Sequence, residues 1–120
     1  MDELEENVMA VVASYFSVLS EPMRLKIARV ICEQEKSVSQ IVQETGATQS
    51  NVSRHLQLMH RHGIVSKRRQ GNLVYYRVSD PAMMDICRTV CMQILNRIDE
   101  REPLRKGLLR LVPASQRKVG

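Results

Sequence analysis

Between residues 45 and 79 the chain carries six bases, Arg54, Arg61, Lys67, Arg68, Arg69 and Arg77, and not one acid. Short hydrogen-bonding side chains precede and interleave with them: Gln49, Ser50, Ser53 and Gln57. These types suit one chemistry. Ammonium and guanidinium groups neutralise phosphates, and a guanidinium can also grip a guanine edge with two bonds. Ser and Gln can reach base edges or phosphate oxygens. The plain alternative is a solvated charged face. A stretch of 35 residues without an acid argues for a polyanion site instead.

Thiols form the second set. Cys87 and Cys91 stand four residues apart, so on a helix their sulfurs share a face, with Cα atoms about 6 Å apart. A disulfide there would distort the helix, whereas a soft ion shared by two thiolates fits. Cys32 is the third. The alternative is core packing, because a free cysteine is commonly a small buried hydrophobe. His55, His60 and His62 do not make a zinc site: His60 and His62 lie on different helical faces, and no nearby Cys or acid completes four ligands. His55 is grouped with the polyanion set, as a packing or phosphate-contacting residue. No Ser-His-Asp arrangement with supporting motifs, P-loop, GxGxxG or HExxH occurs, which excludes the common enzyme classes.

Elements must position these groups. Leu4, Val8, Val11, Val12, Tyr15 and Leu19 recur at helical spacing and predict a helix from about Glu3 to Leu19. Ser20 is a good N-cap and Pro22 fits a first turn, predicting a second helix with Met23, Ile27, Val30 and Ile31 inward. A third, short helix runs from Val38 to Thr45, with Ser37 as cap and Gly46 as its end. Thr48 caps a fourth, Gln49 to His62, with Val52, Leu56 and Met59 inward. Its outer face then carries Gln49, Ser50, Ser53, Arg54, Gln57 and Arg61. The period next changes to two. Ile64–Arg69 and Leu73–Val78 read as strands joined at Gln70-Gly71-Asn72. Asp80-Pro81 opens a last helix to about Glu100, striped by Met83, Cys87, Val90, Cys91, Ile94 and Ile98.

This pattern predicts a mainly α fold with a small β-hairpin: a winged helix-turn-helix, whose second motif helix enters the major groove, with N- and C-terminal helices free to dimerise. Residues 1–100 form the domain. Residues 101–120, with six bases and one acid, form a basic, flexible tail with a short amphipathic piece at Leu104–Val112. At 120 residues the chain is one small domain, and a partner copy would help complete its core. No apolar run is long enough for a membrane span. The start, Met1-Asp2-Glu3-Leu4-Glu5-Glu6, is acidic where a signal peptide would be basic and then apolar, so the expected compartment is the cytoplasm.

Three motifs in order carry a family resemblance over roughly residues 10 to 98. Phe16-Ser17-Val18-Leu19-Ser20-Glu21-Pro22-Met23-Arg24-Leu25-Lys26-Ile27 resembles the start of the second helix in the ArsR/SmtB family of bacterial repressors. Ser50-Asn51-Val52-Ser53-Arg54-His55-Leu56, with Met59 and Gly63-Ile64-Val65, is similar to that family's recognition helix and exit. Arg68-Arg69-Gln70-Gly71-Asn72-Leu73-Val74-Tyr75-Tyr76-Arg77-Val78 is similar to its wing. The resemblance implies a homodimer on double-stranded, pseudo-palindromic operator DNA, released when an inducer occupies a sensor site. It also departs from two sensor patterns. Ser37-Val38-Ser39 stands where arsenic sensors of one group have Cys-Val-Cys, and the last helix lacks the histidine of zinc sensors. Cys32, Cys87 and Cys91 are left as a metal or redox sensor. No cofactor is required, and As(III), Sb(III), another soft ion or a reactive sulfur species would act as inducer. The rival readings are a repressor without thiol sensing and a winged-helix module that binds a protein partner.

Overall fold

The computed structural model describes residues 1–112. They form two compact units, Met1–Asp80 and the residues from Pro81 on. The polar end expected at Ser115–Gly120 lies outside the described residues.

The first unit contains α1 (Glu3–Leu19), α2 (Pro22–Ile31), β1 (Lys36–Ser37), α3 (Val38–Thr45), α4 (Gln49–Arg61), β2 (Val65–Gln70) and β3 (Leu73–Val78). Asp2 caps α1 through a reciprocal box with Glu5. Ser20, expected to cap α2, instead closes α1, its hydroxyl donating to the Ser17 carbonyl. Pro22 occupies the first helical position, so the cap is the residue just before it. The Glu21 carboxylate accepts from the Met23 and Arg24 amides.

Ser37 and Thr48 cap α3 and α4 as expected, each accepting an amide three residues on. Between these helices Gly46 turns the chain at φ 73°, a conformation that costs a residue with a Cβ but not glycine. The helices converge on Ile27, Ile31, Ile41, Val52, Leu56, Met59 and Ile64, all fully buried. These aliphatic side chains fix α4 by its inner face alone, which leaves its outer face free.

β2 and β3 form the expected hairpin, β2 running one residue later than predicted. Gly71 takes φ 60° while Asn72 after it does not have positive φ, the sign pattern of a type II′ turn. β1 was not foreseen. Its two residues pair with β3, Lys36 opposite Tyr76 and Ser37 opposite Tyr75, giving the order β1-β3-β2. The Ile64 carbonyl accepts from the Ser79 and Asp80 amides and closes the hairpin root.

The second unit contains α5 (Pro81–Arg97) and α6 (Leu104–Leu111), packed on each other. α5 ends three residues short of the predicted Glu100. α6 forms on the amphipathic piece within the expected tail, burying Leu108 and leaving Lys106 and Arg110 exposed. Among the described residues no helix is long and apolar enough to cross a membrane.

Candidate nucleic-acid interface

α4 presents Gln49, Ser50, Arg54, Gln57 and Arg61 to solvent, with Ser53 half-buried among them. This follows from its 3.6-residue repeat: Val52, Leu56 and Met59 face the core, so the intervening residues turn outward. The Arg54 guanidinium donates to the Asn51 side-chain oxygen, which lays it along the helix one turn nearer its start. Asn51 was not singled out from sequence. Its amide also completes the Thr48 cap, so it serves both the helix start and the arginine.

His55 stands apart from the other residues assigned to this face. It is buried, at 8% exposure, and points toward α2. Its Nδ1 lies 3.3 Å from Arg24 Nη1, and its Nε2 lies 3.8 Å from the Glu21 carboxylate. A guanidinium only donates, so Nδ1 accepts and the ring is neutral, with its proton on Nε2. Arg24 also donates to the Val18 and Ser17 carbonyls, at 2.6 and 3.2 Å. One arginine thus ties the end of α1, the start of α2 and the inner side of α4 together. The sequence signal was its own position: three residues after Val52 and one before Leu56, His55 borders the apolar stripe.

Burial pushes the His55 imidazole below its ordinary value of 6.5; Arg24 and Arg54 add to this, against Glu21. The sign of the pH effect follows. In the unfolded chain the ring takes up a proton near pH 6.5, while the folded ring resists it. The associated stability is complete above pH 6.5 and is lost as pH falls below it. Thermal melts from pH 8 to pH 5 should therefore show a falling midpoint at the acid end, and His55→Gln should flatten that fall.

The wing carries Lys67, Arg68, Arg69 and Arg77, all exposed. The strand pleat divides them. Lys67 and Arg69 oppose Tyr76 and Val74, on the face that packs inward at the hairpin root. Arg68 and Arg77 oppose Tyr75 and Ser66 on the other face. Arg77 donates to the Ser66 hydroxyl at 3.2 Å. Arg68 donates to both oxygens of Glu35, at 2.8 and 2.9 Å from Nε, and to Gln70 at 2.7 Å. The Arg68 guanidinium, with Arg77 nearby, holds the Glu35 carboxyl below the usual carboxylate range.

Cys87 and Cys91 lie one turn apart on α5, both half-buried. Burial pushes both thiols up, and Cys91 pushes Cys87 further. The nearby Arg88 is paired with Asp85 at 2.6 Å. Cys32, at the end of α2, is half-buried with its sulfur 3.2 Å from the Arg29 carbonyl. Among the described residues no group of three or more His, Cys, Asp and Glu side chains is arranged to hold a metal ion.

Two helices joined across Gly46, an exposed polar and basic second helix and a charged hairpin beside it define a winged helix-turn-helix DNA-binding protein. Residues 21–67 match the bacterial regulatory protein arsR family. The chain is 31% identical over 100 residues to the HTH-type transcriptional regulator Rv0081 of Mycobacterium tuberculosis, spanning 79% of this chain and 88% of that one. It is 36% identical over 74 residues to a probable mercury resistance operon repressor of Streptomyces lividans, 62% of this chain and 59% of that one. The crystal structure of NolR from Sinorhizobium fredii matches it with a TM-score of 0.72 at 26% identity, covering 75% of this chain and 90% of that one. The chain belongs to the ArsR family: it is an ArsR/SmtB-type DNA-binding transcriptional repressor and not an enzyme.

Proposed function

We propose that two copies of this chain bind a pseudo-palindromic operator in the bacterial cytoplasm and leave it when an inducer engages cysteine thiols. One observation carries the DNA part: the 35 residues without an acid coincide with the outer face of α4 and the wing. In this reading Gln49, Ser50, Ser53, Arg54, Gln57 and Arg61 meet the major groove, and Lys67, Arg69 and Arg77 meet flanking phosphates. His55 supports α4 from within. The dimer is supported by α1, which leaves Leu4, Val8, Val11, Val12 and Phe16 exposed in a single copy. Those apolar groups gain by being covered, and a second copy offers the same surface.

The thiol part is supported by the spacing of Cys87 and Cys91 on one helix face. It is also supported by the name of the mercury resistance relative, since mercury(II), like As(III) and Sb(III), is a soft ion that thiolates select. Cys32, at the end of α2 in the first unit, is a separate candidate thiol. Because burial holds the thiols protonated, ligation must release protons, so inducer potency should rise with pH. Release needs a coupling of only about 1–3 kcal/mol between thiol site and operator. The same burial favours a second reading, a repressor whose cysteines merely pack.

The test is fluorescence anisotropy of the reduced protein on DNA from upstream of its own gene. Binding should weaken steeply with salt, as counterions are released from each neutralised phosphate. Arsenite, mercury(II) and polysulfide are then titrated separately. Release by one of them, abolished in Cys87→Ser or Cys91→Ser, establishes thiol sensing and the chemistry of the inducer. Binding that none of them disturbs establishes the second reading.

A further inference from the structure

Arg68, Tyr75 and Ser37 occupy one row across the three strands, paired β2 to β3 and β3 to β1. Glu35 lies two residues before Ser37, in the link between α2 and β1. The Arg68 guanidinium crosses this row with its carbon 4.8 Å from the centre of the Tyr75 ring. Beyond the ring, its Nε and Nη2 both donate to Glu35, and Nη1 donates to Gln70. Three of its five N–H groups thus have acceptors, and its carbon lies over an aromatic ring. To grip a phosphate or a guanine with its Nε–Nη2 edge, Arg68 would have to let go of Glu35, and at its other paired edge Nη1 already donates to Gln70.

The hairpin needs such a hold. At its root Val65 and Tyr76 are buried, but residues 67–73 are exposed and extend past the core. β1 supplies only two residues of pairing. The geometry points to Arg68, Glu35 and Tyr75 as a brace that sets the angle of the wing and so positions Lys67 and Arg69 on the duplex. Arg68 is then a positioning residue and not a DNA contact, although it sits within the most basic run of the chain. A bidentate arginine stacked on an aromatic face is the arrangement that lysine cannot reproduce.

This inference rests on the operator-binding reading, and one set of titrations separates the two. Salt-dependent binding of the wild-type dimer to the upstream duplex tests that reading. The variants Glu35→Gln, Arg68→Lys and Arg68→Gln test the brace, with melting curves to confirm that each folds. Glu35→Gln decides by sign. Removing an acid from a protein that binds a polyanion should tighten binding if charge alone matters. A brace requires the reverse, a loss of roughly threefold to fivefold, the size of an exposed but bidentate ion pair. Arg68→Lys keeps the charge and should lose about as much. Arg68→Gln should leave the slope of log affinity against log salt unchanged, where loss of a phosphate contact would lower it by about 0.9. The double variant Glu35→Gln, Arg68→Gln should lose no more than either single one. Tighter or unchanged binding by Glu35→Gln overturns the brace, as does a fall in salt slope for Arg68→Gln.

Discussion

Replacing Arg54 by alanine is expected to weaken operator binding by about 1–3 kcal/mol, roughly fivefold to 150-fold, with the melting temperature almost unchanged. The side chain is exposed on the outer face of α4, and its one intramolecular bond is to Asn51 on the same helix. Little of the fold depends on it. Titration at several salt concentrations tells which contact was lost. A slope lower by about 0.9 identifies a phosphate. An unchanged slope, with equal loss of discrimination among operator variants, identifies a base edge. A variant that binds as tightly as the wild type would remove α4 from the groove.

Leu56→Ala should do the opposite. Leu56 sits one helical turn behind Val52 on the inner face of α4 and is fully buried. Truncation removes apolar contact and leaves a cavity that the surrounding core fills only in part. The expected cost is about 2–5 kcal/mol, a large fraction of the roughly 5–15 kcal/mol that hold a small domain together. The midpoint of thermal unfolding should fall by roughly 8–20 °C. Well below that midpoint operator affinity should remain close to wild type, because no contact atom has been removed. Leu25→Ala, at a position 40% exposed on α2, is the control and should change stability by less than about 0.5 kcal/mol. Together Arg54 and Leu56, two residues apart on one helix, separate recognition from support.

The helices were legible because their signals are local. Ser37, Gly46 and Thr48 mark ends by backbone chemistry that needs no distant partner, and Val52, Leu56 and Met59 repeat within one helix. The Ser20 cap was misplaced because two good caps adjoin. Pro22 settles the matter through geometry, and Glu21 could have been chosen on that ground. The last helix was drawn too long because Ile98 continues its stripe, whereas the helix stops at Arg97. β1 escaped notice since two residues hold no period. What makes Lys36 and Ser37 a strand is β3, about 40 residues away in sequence. The same limit applied to the candidate site. The outer face of α4 follows from its own repeat. The partners of His55 and Arg68, by contrast, are Arg24, Glu21 and Glu35, each about 30 residues earlier in the chain. A basic run in sequence gives charge, not the partner to which each charge is bound.

The strand order has a further consequence. Among the described residues β2 is an edge strand, and along its outer side backbone donors and acceptors have no neighbouring strand. Such an edge invites the edge of another molecule, the first step toward aggregates. Here the edge bears the cations Lys67 and Arg69 on either side of the Arg68 that Glu35 neutralises, and two β2 edges brought together would repel. The charges that suit the wing to a polyanion therefore also keep the protein from sticking to itself. A chain stripped of Lys67 and Arg69 to abolish DNA binding would expose a bare edge, and precipitation would then mimic a loss of activity in solution. Neutralising these residues one at a time avoids that confusion.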